Sequence, residues 1–185
     1  MNENGTRVYG VSLVGESPLL MNRVVDVGGS ARKGEKDSPK PEDVFVKAYS
    51  TPDGKLYQPA THIHRAMIRA ASAYKMPGSS RKAITPLVAG GIRVEPEAIP
   101  HIHQEWAVDA RTVVVPATKG RVNRFRPRLD AWELEFRIHV FDERMTAATL
   151  QRILEDAGRL IGIGDYRPEK TGPFGRFRVA RFEEE

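Results

Sequence analysis

Trp132-Glu133-Leu134-Glu135-Phe136-Arg137-Ile138-His139-Val140 is the stretch on which the fold turns. Its apolar residues alternate strictly with Glu133, Glu135, Arg137 and His139, the two-residue period of a strand with one buried and one wetted face. Beyond a short break, Thr146 offers a helix N-cap. Leu150, Ile153, Leu154, Ala157, Leu160 and Ile161 then form an apolar stripe at helical spacing, with Gly162 at the C-cap position. A glycine-rich loop over 162–175 leads into a last strand, Arg176 to Phe182.

Upstream, Arg7 to Gly15 reads as a strand with Tyr9, Val11 and Leu13 on one face, broken by Ser17-Pro18. Leu19, Leu20 and Met21 are expected to tuck under the sheet edge. Residues 27–41, rich in Gly, Lys, Ser and Pro without periodicity, read as a mobile inserted loop. Thr51-Pro52-Asp53-Gly54 is a turn signal, which predicts a hairpin of 44–49 with 55–58. A helix follows, with Thr61 as its N-cap. Ile63, Met67, Ala70, Ala71 and Tyr74 lie on its buried face, and His62, Arg65, Arg69 and Ser72 on another. Pro86 to Val94 reads as a short strand, and 106–129 as a long hairpin turning at 116–120.

The element order is strand, helix, strands, strand, helix, strand. That predicts one α+β domain over 1–185 with a ferredoxin-like (RRM-like) βαββαβ plan: an antiparallel sheet with two helices on one face, plus the hairpin and the glycine loop.

The chain has 29 Lys and Arg against 24 Asp and Glu, a net charge of +5. Its distribution matters more than its size. From Arg111 to Arg128 there are six basic residues and no carboxylate, and the two-residue period sets Arg124, Arg126 and Arg128 on one face. Such a stripe attracts phosphates and releases counterions. With no cysteine, disulfides, thiolate catalysis and cysteine–zinc sites are excluded. No stretch approaches the roughly 20 apolar residues of a membrane span. The polar opening residues lack a signal-peptide layout, so a cytoplasmic protein without membrane partners is expected.

The run Ala157-Gly158-Arg159-Leu160-Ile161-Gly162-Ile163-Gly164-Asp165-Tyr166-Arg167-Pro168, followed by Gly172-Pro173-Phe174-Gly175-Arg176-Phe177, resembles the glycine-rich loop of the RAMP superfamily (repeat-associated mysterious proteins). Members of that superfamily supply backbone subunits of CRISPR effector complexes. The first strand with Ser17-Pro18-Leu19-Leu20, Pro59-Ala60-Thr61 before Arg65 and Arg69, and the hairpin 106–129 resemble the matching parts of those proteins. The resemblance implies a ferredoxin-like fold and a backbone-type role in coating RNA. It also implies assembly with copies of itself, as an oligomer or filament, or with other effector subunits. A related protein of phage or mobile-element origin fits the same residues.

The residues point to binding of RNA or single-stranded DNA. Glycines let backbone N–H groups approach phosphates, and Arg167 and Arg176 add charged donors. Tyr166 and Phe174 are candidates to stack on bases, worth roughly 1–3 kcal/mol per base. The competing reading of this loop is a plain helix cap and turn with Phe174 in the core. Arg111, Lys119, Arg121, Arg124, Arg126 and Arg128 complete the candidate set. Arg65 and Arg69 are ordinary helix arginines unless they face the same groove as the loop.

Two H-x-H pairs, His62/His64 and His101/His103, would grip a metal only on a strand. The first lies at a helix start, and no carboxylate stands beside either, so neither metal nor cofactor is expected. No nucleophile, base and orienting group assemble, which favours binding over catalysis. Asp26 and Asp37 are conceivable cleavage residues through the resemblance alone. The alternatives left open are a ribonuclease using the histidines and a protein-only assembly subunit of phage origin.

Overall fold

A computed structural model describes residues 5–24, 40–114 and 120–185. The loop expected over 27–41 lies outside the described residues as far as residue 39, together with Asp26 and Asp37. So do Lys119 and most of the hairpin turn.

The fold is α+β with antiparallel sheets and, among the described residues, four α-helices, consistent with a ferredoxin-like type of fold. The main sheet has strand order β4-β8-β1-β9, from Ile92–Glu95 (β4), Glu133–Val140 (β8), Arg7–Gly15 (β1) and Phe177–Glu184 (β9). β1 lies antiparallel to β8, from Arg7 opposite Val140 to Val14 opposite Glu133. β9 flanks β1 on the other side with a register shift between Ser12 and Leu13.

Alternation does what the sequence requires. Tyr9, Val11, Leu13, Leu134, Phe136, Ile138 and Val140 are buried on one face. Against them pack Ile63 and Met67 of α2 (Ala60–Ala70) and Leu150, Ile153 and Leu154 of α4 (Ala147–Asp156). Each such side chain contributes about 1.5–3 kcal/mol of transfer free energy when fully buried. Trp132 closes the end of this core, and its indole N–H donates to the Ser17 carbonyl at 2.8 Å. The approach is so close that a Cβ on Gly15 would lie 2.3 Å from the indole nitrogen.

A second sheet has order β2-β7-β6. Leu19–Leu20 (β2) pairs with the root of Arg121–Leu129 (β7), which pairs with Ala107–Val114 (β6) as a hairpin. Leu19, Leu20 and Met21 are all buried. Tyr57–Pro59 (β3) and Ala98–Pro100 (β5) form a small ribbon.

Three local expectations are corrected. Val44 and Phe45 lie in helix α1, Pro41–Phe45, with Pro41 in the first turn where its missing N–H is harmless. Only a Ser50–Leu56 bridge remains of the expected hairpin. Pro86 likewise opens a helix, α3 (Thr85–Gly91), and the strand begins only at Ile92. The N-cap of α2 is Pro59, not Thr61: Pro59 is extended and the helix already begins at Ala60, whose N–H is satisfied by the Glu97 carbonyl at 2.8 Å instead of by a capping side chain. Thr146, by contrast, caps α4 through its hydroxyl, which accepts from the Thr149 N–H at 3.2 Å. No helix among the described residues is long and apolar enough to cross a membrane.

Candidate nucleic-acid interface

Helix α2 lies with one stripe on the core and the next facing the glycine loop. His62, Arg65, Ala66 and Arg69 recur at helical spacing along that second stripe and line a groove of about 500 Å³. Ile161 to Asp165, Arg167 and Glu169 form the opposite wall, and Asn22 and Tyr49 close one end. Arg65, Arg69 and Arg167 therefore face one groove. Glu169 partly neutralises it, lying 3.2 Å from Arg69 and 2.6 Å from the Arg167 guanidinium. Arg167 also donates to the Gly164 carbonyl at 3.1 Å, which fixes it as part of the wall. Arg65 is exposed and has no ion pair among the described residues.

The loop is built differently from the phosphate cradle that its glycines suggest. A Cβ on Gly172 would lie 1.7 Å from the Tyr166 carbonyl, one on Gly175 1.8 Å from that of Ile163, and one on Gly164 2.5 Å from that of Leu20. Backbone already occupies the space that the absent side chains leave. The N–H groups also turn inward: Ile163 donates to Gly175, Asp165 to Leu20, Gly172 to Arg167 and Gly175 to Pro18. The glycines weld α4, β2 and β9 into one joint. Tyr166, at φ 49, is the exposed tip of that joint.

The hairpin rests on this joint. Arg126 is only 7 % exposed and pairs with Asp165 of the loop. Asp109, opposite Arg126 across the hairpin, holds Arg111 at 2.9 Å, and Arg111 in turn lies over the Phe174 ring at 4.6 Å. Phe174 is 5 % exposed, with Tyr166 against it at 6.1 Å, so its faces are covered by protein and offer no stacking platform. Arg128 pairs with Asp130 at 2.8 Å. Three arginines of the stripe thus carry carboxylates. Arg121 and Arg124 are exposed and have no ion pair among the described residues.

Lys47 was not foreseen. It reaches the hairpin root and donates to the Phe125 carbonyl at 3.0 Å. Burial, then Arg126 and Arg124, push its ammonium below the usual lysine value, which marks a place where positive charge is crowded. Arg176 lies apart: its guanidinium donates to the Arg159 carbonyl and does not line the groove.

The histidine pairs separate. His62 faces the groove, its Nδ1 2.6 Å from the Gln58 amide nitrogen, whereas Nε2 of His64 lies 3.1 Å from the Val88 carbonyl. His101 is 2 % exposed beside Trp132, with neither ring nitrogen partnered, and His103 is exposed. Burial, then Arg167 and Arg65, lower the His62 pKa to about 4; burial, then His103, does the same for His101.

The open face of the main sheet is of another kind. Gly10, Ser12, Glu135, Arg137 and His139 point outward, and ion pairs cover the surface: Arg93–Glu95 at 2.8 Å, Arg137–Glu185 at 2.7 Å and Arg181–Glu135 at 3.8 Å. None of the outward residues of β1, β4 and β8 is Phe, Tyr or Trp, so this face lacks the aromatic platform on which RRMs stack bases.

Fold and site together define an α+β domain with a carboxylate-laced sheet face on one side and a cationic groove beside a hairpin on the other. A solved structure with a similar fold is the cryo-EM structure of the Type III-B Cmr-beta bound to cognate target RNA. The TM-score is 0.58 at 11% identity, and the match covers 97% of this chain and 60% of that one. This chain thus spans about three fifths of the chain it matches. Comparison with protein-family models and with curated proteins gives no match to either.

Proposed function

We propose that the chain is a RAMP-type protein that binds single-stranded nucleic acid, RNA foremost, along its backbone. It does so as a non-catalytic subunit of a ribonucleoprotein of CRISPR-like, phage or mobile-element kind. In this reading β1, α2, β4, β8, α4 and β9 are the βαββαβ frame, and the sequence between β4 and β8 is an insertion carrying the hairpin. Copies of the chain or other effector subunits continue the path of the strand.

The observation that carries the proposal is the convergence of Arg65 and Arg69 with the Arg167 wall, in a groove that reaches the hairpin root through Asp165. Phosphates would be taken chiefly by Arg65, Arg69, Arg121 and Arg124, whose donors are wholly or partly free. Arg111, Arg126 and Arg167 hold the frame, and Tyr166 is the exposed aromatic. The RNA-bound state of the structural neighbour supports RNA as the polymer.

The test is fluorescence anisotropy with labelled RNA and DNA single strands over a range of salt. Affinity should fall steeply with salt and depend little on sequence, with a slope of about 0.7 per phosphate neutralised. Replacing Arg65 and Arg69 by Ala should lower affinity about tenfold or more, and should flatten the slope by about one contact each. Binding that is unchanged by high salt, or by the double substitution, overturns the proposal.

A further inference from the structure

The groove has two chemically different ends. Arg65 and Arg69, one helical turn apart, make one end cationic. At the other end stand Asn22, Tyr49 and His62, all uncharged at neutral pH. The His62 ring meets Tyr49 edge-on at 5.1 Å between centroids. The space, about 500 Å³, falls within the range of small-molecule sites, roughly 300–1,000 Å³.

Hydrogen bonding sets what the uncharged end offers. Gln58 is 1 % exposed and turns its amide nitrogen to Nδ1 of His62, so that Nδ1 accepts and the ring hydrogen resides on Nε2. Because Gln58 is buried behind the ring and His62 lines the groove, Nε2–H points to the open side as a donor. Asn22 gives its amide N–H to Asp165 at 3.2 Å, which leaves its carbonyl oxygen as an acceptor. A donor and an acceptor held beside aromatic edges suit the polar edge of a nucleobase. They do not suit a second phosphate, because the Asp165 carboxylate, which accepts from Asn22, stands at this end and repels it.

We propose that this groove is a mononucleotide pocket that takes one unpaired nucleotide of the bound strand. Its phosphate sits at Arg65 and Arg69, and its base is hydrogen-bonded by His62 Nε2–H and the Asn22 carbonyl. The inference rests on the RNA-binding reading and adds to it a base contact at one position of an otherwise backbone-bound strand. The unprotonated state of His62 agrees with the geometry. Burial, with Arg167 and Arg65, holds its pKa at about 4, so at neutral pH the ring donates from one nitrogen only.

NMR titration of the whole chain with each of the four nucleoside 5′-monophosphates, ribose 5-phosphate and inorganic phosphate tests this. At least one nucleotide should shift the His62 ring signals saturably and bind about tenfold or more tighter than ribose 5-phosphate, which has the phosphate but no base. His62→Phe keeps a ring but removes the donor, and Asn22→Ala alters an exposed side chain and leaves the Arg126–Asp165 pair in place. Each should lower the preference for nucleotide over ribose 5-phosphate by at least threefold, with the salt slope for a long RNA strand unchanged.

Equal binding of nucleotide and ribose 5-phosphate, or no saturable shift up to roughly 10 mM nucleotide, overturns the pocket. So does a preference that both variants leave intact. Long RNA that still binds in a salt-dependent way shows that only the pocket has failed. Loss of long-RNA binding by the unaltered chain is the separate failure of the proposed function.

Discussion

The open face of the main sheet and the groove beside α2 are both made of arginines and glutamates, yet they differ in electrostatic character. On the sheet, the two-residue strand period and the neighbouring strand and chain end place carboxylates next to Arg93, Arg137 and Arg181, and each finds one within 3.8 Å. In the groove, Arg69 and Arg167 share Glu169, and Arg65 has no ion pair among the described residues. Register therefore cancels charge on one side and leaves it on the other, which a net charge of +5 does not disclose. Exposed pairs such as those on the sheet contribute about 0–1 kcal/mol each. Their effect is to leave that face little attraction for a polyanion.

The sharpest break in the comparison is steric. Gly172→Ala drives a Cβ into the Tyr166 carbonyl at 1.7 Å, with no flexible side chain to move aside. Urea melts should show a loss of about 3 kcal/mol or more. Gly10→Ala on the open face meets only the Glu185 carboxylate tip at 3.0 Å, which swings away, and should change stability by less than about 1 kcal/mol. Similar losses for the two would mean that the loop is not the rigid joint described.

Acid should act next most strongly. Unfolded histidines bind a proton below about pH 6.5, whereas His62 and His101 do so only near pH 4 in the folded chain. Between these values the unfolded state holds more protons, so the depressed pKa values contribute stability that is present above pH 6.5 and lost as pH falls towards 4. For His101 the loss is on the order of 3 kcal/mol; for the more open His62 it is less. His101→Leu should flatten urea stability across this window far more than His62→Phe. The reverse order would place the acid-sensitive site in the groove.

What could be read beforehand follows from range. Trp132–Val140 and the α4 stripe as far as Ala157 were legible because their periods are local and their burial is one-sided; Leu160, expected on the same stripe, is exposed, because the helix widens to a π turn over Ala157–Ile161 and the 3.6-residue period no longer holds. The runs Val44-Phe45 and Pro86-Leu87-Val88 are short and apolar, so period alone does not separate strand from helix, and the prolines decide it. His62, Arg65 and Arg69 could be set on one stripe from spacing. Their meeting with Arg167 is a tertiary fact with no local trace. Asp109 was within reach, since the strand period that aligns the arginines also puts it beside Arg111, one step outside the basic run. Asp165 as the partner of Arg126 was not, and neither was the covering of Phe174. The glycines signalled close approach correctly, but the approaching group is the chain's own backbone.

Within the hairpin the same contrast recurs at smaller scale. Arg126→Ala removes the partner of a partly buried carboxylate, Asp165, and should lower stability by about 1–3 kcal/mol. Arg124→Ala should leave the melt unchanged and weaken RNA binding a few-fold, with a shallower salt slope. Calorimetry and anisotropy on the two variants separate the bracing arginine from the binding one. An Arg126 variant as stable as the parent would remove the distinction.

The smallest effect is expected on the open sheet face, where the arginines are paired. Replacing Arg93 and Arg137 together by Ala removes two positive charges from the open sheet face and takes one partner each from Glu95 and Glu185. If total charge governed binding, this would weaken RNA affinity as much as losing Arg65 and Arg69, since the change in net charge is the same. If local arrangement governs it, the strand on the far side is screened from the change over a Debye length of about 8–10 Å at ordinary salt. Affinity should then shift less than about twofold, with stability altered by no more than about 1 kcal/mol. Anisotropy on the two double variants side by side, at one salt concentration, decides between net charge and arrangement.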